Sequence, residues 1–220
     1  MKKVVIVSGG LDSTVLLYMQ VAQHGAQNIK ALSFDYGQRH SREVEFACWH
    51  CEKLCVPWSL VDHTVAVPEG HYSSTTMKKT VVPNRNMIML SIAAGHAIAL
   101  GADAIVYGAH IGDHAIYPDC RPEFTSAVGK AIALADWHEV RLEQPFLDDK
   151  IDKAGIVSIA QELGVDVTRT WSCYCGNEIH CGNCGTCTER REAFFLANVD
   201  DPTPYDNLAR ELADLLSEKD

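Results

Sequence analysis

The chain has 220 residues, 47% hydrophobic and 22% charged, a composition typical of a folded globular protein with one well-buried core. Its formal net charge is −10 and its isoelectric point is near 5.4, which disfavours non-specific binding to nucleic acid or to an anionic membrane. A ligand that carries phosphates must therefore be held by backbone N–H groups, a few well-placed cations or a metal ion.

The amino-terminal segment does not have the pattern of a secretory signal. Its apolar run, Val4–Val7, stops at Ser8, and no other segment approaches the length of a membrane span. We therefore expect a cytoplasmic location with no membrane partner. Nine cysteines in such a compartment indicate metal binding or chemistry rather than a disulfide framework.

Apolar, β-branched runs alternate with amphipathic patterns along most of the chain. The runs predict strands at Lys3–Val7, Ile29–Phe34, Trp58–Val61, Ala104–Tyr107 and Val140–Leu142. The amphipathic patterns predict helices at Ser13–Gln23, Ser41–Leu54, Asn86–Leu100, Pro122–Ala135 and Lys153–Leu163. Strands that alternate with helices predict an α/β fold, a parallel twisted sheet with helices on both faces.

Two segments depart from this alternation. Ala66–Pro83 lacks periodicity and is predicted to be a long loop of the kind that closes over a site. After Gly164 the chain becomes rich in Gly and Cys, and a final amphipathic helix is predicted over Asp201–Asp220. We expect one domain over residues 1–220, with a metal-binding segment at 173–187 and a helical tail at 188–220.

The sequence SGGLDS joins the first predicted strand to the first predicted helix. Glycines in such a turn let backbone N–H groups approach a ligand closely, and the helix amino terminus favours an anion. The hydroxyls of Ser8, Ser13 and Thr14 can donate to phosphate oxygens, whereas Asp12 would need a bridging Mg²⁺ or a capping role. The chain contains neither a Walker A motif nor G-x-G-x-x-G. The alternative is a simple glycine-rich turn.

SGGLDS resembles the S-G-G-x-D-S loop of the PP-loop (N-type) ATP pyrophosphatases, whose fold is adenine nucleotide alpha hydrolase-like. The resemblance implies ATP with Mg²⁺ and cleavage between the α- and β-phosphates, which leaves an adenylated substrate. It implies a nucleotide site formed by Ser8, Gly9, Gly10, Leu11, Asp12, Ser13 and Thr14. It also implies catalytic roles for Asp12 and Ser13 and a pyrophosphate-neutralising role for Lys153, whose alternative is a solvated surface lysine.

Four cysteines near the carboxyl terminus have the spacing of a metal site: Cys173, Cys181, Cys184 and Cys187. Four thiolates leave no open coordination position, so we expect one structural Zn²⁺ rather than a catalytic one. Cys175 is an alternative to Cys173 or a free thiol, and an iron–sulfur cluster is the competing interpretation. Cysteines 48, 51 and 55 have helical spacing and are more typical of a buried apolar stripe than of a second metal site.

Polar residues cluster after two predicted strands, where open α/β sheets bind ligands. The predicted substrate contacts are Asp35, Gln38, Arg39, Arg85, His110, Asp113, Tyr117, Asp119 and Arg121. Asp113 and Asp119 suit the N–H edge of a guanine-like ring, and Arg121 suits a carboxylate. Arg85 offers a planar fork for phosphate or carboxylate, and we also give it a catalytic role. The alternative for each of these residues is a loop cap or a solvated surface position.

The motifs SGGLDST, FDYGQRH, VPNRN, YPDCRPEF and IDKAGI, with the four cysteines, together resemble the 7-cyano-7-deazaguanine (preQ0) synthase family. The resemblance implies an ATP-dependent carbon–nitrogen ligase of queuosine biosynthesis. Its substrates would be 7-carboxy-7-deazaguanine and free ammonia, because this length leaves no room for a glutaminase, and it would form a homodimer without direct nucleic-acid contact.

This chain departs from the family pattern at two places. GAHIGD stands where many members have G-V-C-E-T-D, and one residue fewer separates the first two cysteines of the metal segment. Both departures are compatible with a subfamily of these synthases or with a relative that acts on a modified deazapurine. The other hypotheses are an amide-forming or tRNA-thiolating PP-loop ligase and a zinc-knuckle nucleic-acid binder. The last predicts a basic knuckle, whereas Cys173–Cys187 contains neither Lys nor Arg.

Overall fold

The computed structural model describes residues 1–36, 41–62, 82–112, 117–175 and 178–207. The described chain contains a five-stranded sheet in the order β3-β2-β1-β4-β5, and every strand pair is parallel. The strands are β1 (Lys3–Ile6), β2 (Ile29–Asp35), β3 (Trp58–Asp62), β4 (Ala104–Val106) and β5 (Arg141–Glu143). All five predicted strands are confirmed, each end to within one residue.

The five predicted helices are also confirmed, each end to within two residues. The described helices are α1 (Leu11–His24), α2 (Ser41–Lys53), α3 (Arg85–Leu100), α4 (Pro122–Ala133), α5 (Pro145–Asp148), α6 (Lys153–Glu162) and α7 (Gly185–Leu196). The short α5 was not predicted. No helix among the described residues is long and apolar enough to cross a membrane.

Helices cover both faces of the sheet because its central strands are apolar on both sides. Val5 belongs to a core that includes residues of α1, α2, α6 and α7, whereas its neighbour Val4 belongs to a core with α3 and α4. Successive residues of a strand point to opposite faces, so one continuous apolar run supplies both cores. The predicted arrangement of layers is confirmed.

A side-chain cap fixes the start of α6. Asp152 is the N-cap residue, and its Oδ1 accepts a hydrogen bond from the Gly155 backbone N–H at 2.8 Å. This bond satisfies one of the N–H groups that a helix leaves unpaired in its first turn. Lys153 is therefore held at the first position of the helix, where it reaches the functional site.

The carboxyl-terminal part differs in detail from the prediction. Helix α7 starts inside the cysteine segment, and the buried Arg190 anchors it by donating to Thr203 Oγ1, Thr170 Oγ1 and the Val167 carbonyl at 2.8–2.9 Å.

Residues 201–207 are not helical, although a helix is predicted over Asp201–Asp220. Prolines at positions 202 and 204 disfavour helical backbone before them, and Tyr205 forms an isolated bridge with His180. Residues 208–220 of the predicted Asp201–Asp220 helix, and most of the predicted loop Ala66–Pro83, lie outside the described residues. The single-domain organisation stays a prediction.

Candidate functional site

The glycine loop follows β1 at the centre of the sheet. Strand β1 lies between β2 and β4, and the chain connections lead away from it in opposite directions, so a crevice opens at its carboxyl end. Ser13 Oγ closes the loop: it accepts from the Ser8 backbone N–H at 3.0 Å, lies 3.0 Å from Ser8 Oγ and contacts the Gly10 carbonyl at 3.3 Å. The hydroxyls of Ser8 and Ser13 are thus preorganised at the start of α1.

Gly9 allows this loop to pack against α2. Its φ is +91°, a conformation that residues with side chains rarely adopt, and a Cβ there would lie 1.9 Å from the Glu43 carbonyl oxygen. The Gly9 carbonyl accepts a hydrogen bond from the Trp171 backbone N–H at 3.0 Å. The loop is therefore held between the first turn of α2 and the chain that leads into the cysteine segment.

A cavity of about 270 Å³ opens in front of the loop. Its walls come from the loop, the first turns of α2, α3 and α6, the chain after β4, and the cysteine segment. Its aromatic lining consists of Phe34, Tyr36, Tyr107, Tyr117, Trp171 and Tyr174. Such a mainly apolar, aromatic cleft with a few charged groups suits planar heterocyclic ligands.

A lysine and two carboxylates form the charged centre of this cavity. Lys153 Nζ donates to Asp12 Oδ2 at 2.9 Å and to Glu189 Oε2 at 3.2 Å. His110 Nε2 lies 4.0 Å from the same Asp12 oxygen. Burial by itself raises the pKa of Asp12, but Lys153 and then His110 outweigh it and hold that pKa below its ordinary value. Asp12 is therefore a carboxylate at neutral pH.

Arg85 supplies the second cation of the cavity. It begins α3 directly after Asn84, whose φ of 59° turns the chain into the helix, and its guanidinium lies 5.9 Å from the Tyr36 ring centre. Asn86, one residue on, donates to Tyr107 Oη at 2.8 Å. The segment VPNRN thus places the Arg85 guanidinium beside Tyr36 and the Asn86 amide beside Tyr107.

The structure brings together part of the predicted nucleotide and substrate set. Ser8, Gly10, Leu11, Asp12, Ser13, Arg85, Tyr117 and Lys153 line the cavity. Gly9 and Thr14 are buried and do not line the cavity. His110 does not line it either, but its Nε2 lies 4.0 Å from Asp12 Oδ2. Asp35, Asp119 and Arg121 do not line the cavity, and Gln38, Arg39 and Asp113 lie outside the described residues. The individual roles of all these residues stay predictions.

Sequence reasoning missed several lining residues, among them Glu43, Tyr174, Thr186 and Glu189. Tyr174 and Thr186 lie within the segment 173–187, for which the sequence predicts metal binding alone. Glu189 follows the last of those cysteines by two positions. The position of Glu43 could have indicated a role in the site, because it lies four residues after FDYGQR. It is in the first turn of a helix that begins beside the ligand crevice.

The four predicted metal ligands meet at one point. The sulfur atoms of Cys173, Cys181, Cys184 and Cys187 all lie within 4.8 Å of one another, and two of the pairs are 4.0 Å apart. A tetrahedral Zn²⁺ with Zn–S bonds of about 2.3 Å needs sulfur atoms about 3.8 Å apart. The donor set therefore fits a single ion. Cys175 is exposed and stands outside the set, so the choice of Cys173 over Cys175 agrees with the geometry.

The cysteine cluster is packed against the cavity. Trp171 Nε1 donates to the Cys173 carbonyl at 2.8 Å, and Cys184 Sγ contacts Thr186 Oγ1 at 3.3 Å. Trp171 and Thr186 both line the cavity. The predicted buried stripe of Cys48, Cys51 and Cys55 is only partly correct: Cys51 is buried in the core, Cys48 is half-buried, and Cys55 is exposed because α2 ends at Lys53. The described residues contain no second metal-type cluster.

The parallel sheet, the glycine loop at its point of reversal and the carboxyl-terminal four-cysteine cluster define an α/β protein of the PP-loop fold. A solved structure with a similar fold is the U34-tRNA thiolase NcsA from Methanococcus maripaludis with its [4Fe-4S] cluster. The TM-score is 0.55 at 16% sequence identity, and the match covers 91% of this chain and 73% of that chain.

Residues 2–198 match the family described as queuosine biosynthesis protein QueC, and the chain belongs to that family. The 7-cyano-7-deazaguanine synthase of Caldicellulosiruptor bescii is 50% identical, with 94% of this chain and 98% of that protein covered. The synthases of Methanoregula boonei and Ruegeria pomeroyi are 47% and 50% identical, with 94% and 93% of this chain and 100% and 94% of those proteins covered. The expected family is confirmed, and the chain is a member of a family of queuosine biosynthesis enzymes.

Proposed function

We propose that this protein converts 7-carboxy-7-deazaguanine and ammonia to 7-cyano-7-deazaguanine with ATP, through adenylated carboxylate and amide intermediates. The observation that carries the proposal is the glycine loop at the reversal point of the sheet, with Lys153 held 2.9 Å from Asp12 beside it. An anion-binding loop and an adjacent ammonium are what release of pyrophosphate requires. The names of the relatives supply the product.

The proposed chemistry balances with two equivalents of ATP. A carboxylate oxygen attacks the α-phosphorus and pyrophosphate leaves. Ammonia then attacks the carbonyl carbon and loses one proton, and AMP leaves with that oxygen. The amide oxygen attacks a second ATP in the same way. Loss of AMP and two protons then gives the nitrile. The ammonium of Lys153 and the loop N–H groups stabilise charge on the leaving pyrophosphate, while Arg85 orients the carboxylate.

The residues of the site fit Mg²⁺ at the phosphates. Among the described residues, Asp12 Oδ1 is buried without a hydrogen-bond partner, and a carboxylate oxygen is a ligand that Mg²⁺ prefers. Lys153 with its two carboxylate partners carries a net negative charge, so a polyphosphate needs further positive charge there. Bound Mg²⁺ would supply it. For the cysteine cluster we propose one structural Zn²⁺ per chain, because a multi-iron cluster is wider than a single ion.

The test follows the carboxylate oxygens. The protein is incubated with Mg²⁺, ammonium, ATP and substrate labelled with ¹⁸O in both carboxylate positions, and the products are analysed by mass spectrometry. The proposal expects two AMP per nitrile, each with one ¹⁸O, because each activation transfers one substrate oxygen to an α-phosphate. ADP formation, or AMP without label, would contradict it.

Two other outcomes would identify the alternative functions. A product that stops at the amide, with one labelled AMP, would indicate an amide-forming relative, which the GAHIGD departure leaves open. Sulfur transfer to tRNA would indicate a thiolase, the activity named for the structural neighbour.

We further propose that ammonia comes from solution, that no nucleic acid is bound directly and that the protein forms a homodimer. Replacing ammonium by glutamine tests the source of ammonia, and light scattering tests the homodimer.

A further inference from the structure

Glu43 is a cavity carboxylate that the proposed chemistry leaves without a role. Three carboxylates line the cavity within the described chain: Asp12, Glu43 and Glu189. Asp12 and Glu189 share the Lys153 ammonium at 2.9 and 3.2 Å. The Glu43 carboxylate makes no hydrogen bond or ion pair with any described residue.

The backbone fixes where this carboxylate stands. Glu43 is in the first turn of α2, and its carbonyl oxygen is the atom that a Cβ on Gly9 would meet at 1.9 Å. The preceding residue, Arg42, places its guanidinium 5.5 Å from the Trp171 ring centre and donates to the Glu178 carbonyl. The turn that carries Glu43 therefore contacts both the glycine loop and the cysteine segment with the chain that precedes it.

Glu43 is half-buried, and it lines the cavity. Burial raises the pKa of this carboxyl to about 7, although Arg85 acts in the opposite direction. A carboxylate that has lost water without gaining donors is unfavourable, and it becomes favourable when a ligand supplies N–H groups. The position therefore favours a ligand that presents hydrogen-bond donors to the cavity.

The hydrogen-bond donors and acceptors on the edge of a heterocycle determine which ring fits Glu43. A guanine-like ring presents two adjacent donors, the ring N1–H and the exocyclic amino group, which match the two oxygens of a carboxylate. Adenine presents an amino donor beside a ring-nitrogen acceptor, and that acceptor would face carboxylate lone pairs. The adenine of ATP is thus a poor partner for Glu43, and a deazaguanine ring is a good one.

We propose that Glu43 accepts hydrogen bonds from N1–H and the 2-amino group of the deazaguanine ring and so determines substrate specificity. This inference rests on the proposed function, since it concerns the carboxylate substrate of that reaction. It places the ring between α2 and the aromatic lining, with its carboxylate directed to the glycine loop. Asp119, which the sequence also offered for this edge, does not line the cavity.

The test compares two substrates in three proteins. The substrates are 7-carboxy-7-deazaguanine and its analogue that lacks the 2-amino group; the proteins are wild type, Glu43→Gln and the matched control Glu45→Gln, an exposed carboxylate on the same helix. The wild-type ratio of kcat/KM for AMP release should be about 10² or more in favour of the amino compound, because a site built for a donor rejects the analogue that lacks it. Glu43→Gln should reduce this ratio at least about 10-fold, and Glu45→Gln should keep it.

The remaining outcomes are also decisive. An unchanged ratio in folded Glu43→Gln, with kcat lowered equally for both compounds, would assign Glu43 to chemistry or structure and overturn the inference. A change confined to the ATP-over-GTP preference would overturn it as well. If wild type releases no AMP, the proposed function fails, and calorimetric binding of the two compounds without ATP still decides the role of Glu43. Equal affinities of wild type and Glu43→Gln for the amino compound would refute it.

Discussion

Lys153 Nζ lies 2.9 Å from Asp12 Oδ2, and this contact joins the first residue of α6 to the first turn of α1 across 141 positions of sequence. Glu189 of α7 accepts from the same ammonium at 3.2 Å. Helices α1, α6 and α7, which pack on one face of the sheet, thus each contribute one side chain to the same cluster. The cluster couples the glycine loop to the helix that begins in the cysteine segment.

Replacing Lys153 by Met should reduce AMP release about 10²- to 10³-fold, since it removes a preorganised positive charge from the leaving pyrophosphate. The substitution also leaves two carboxylates facing each other, so thermal stability should fall modestly. Lys130→Met on the exposed face of α4 is the matched control and should change neither property. Wild-type AMP release by Lys153→Met would exclude this ammonium from the chemistry.

Gly9→Ala should prevent normal packing of the glycine loop. The new Cβ would meet backbone rather than a movable side chain, at 1.9 Å from the Glu43 carbonyl oxygen, and the φ of +91° adds strain. We expect loss of ATP-dependent turnover and a lower unfolding midpoint in urea. Gly95→Ala inside α3 is the control, because a Cβ there meets nothing within 4 Å. It should stabilise the protein by about 0.5–1 kcal/mol, and equal effects of the two changes would refute the argument.

The sheet could be predicted from sequence because its central strands read as unbroken apolar runs, as a strand buried on both faces must. The glycine loop and the cysteine spacing were equally local signals. Glu43 was not predictable in this way, because SREVEF has the charge pattern of a solvated helix face. Its function depends on the packing of α2 against Gly9. The contact of Glu189 with Lys153 likewise depends on how α6 and α7 pack, which no local pattern encodes.

Cys173→Ser and Cys175→Ser should separate a metal ligand from a neighbouring thiol. Elemental analysis should find about one Zn²⁺ per chain in wild type and in Cys175→Ser, and much less in Cys173→Ser. Because metal binding stabilises the folded state, loss of the Cys173 thiolate should cost about 3 kcal/mol or more, roughly 10 °C in Tm. Iron in the purified protein, or zinc lost only from Cys175→Ser, would contradict the assignment.

His50 should make the stability of the fold depend on pH below neutrality. The ring is fully buried; Nε2 donates to the Arg169 carbonyl at 2.9 Å, because a carbonyl only accepts, and Nδ1 therefore accepts from the Tyr18 hydroxyl at 3.0 Å. Burial first of all lowers the pKa of His50 to about 4, from 6.5. Between these values the unfolded chain binds a proton that the native protein does not bind.

The free energy of unfolding should therefore fall as pH is lowered from 6.5 to 4, by up to about 3 kcal/mol from this residue. His50→Gln keeps a donor and an acceptor but cannot titrate, so its urea-denaturation midpoints should vary less with pH over this window. His96→Gln, at an exposed position on α3, should retain the wild-type slope. If His50→Gln and wild type lose stability in parallel, the buried imidazole is not the group that titrates.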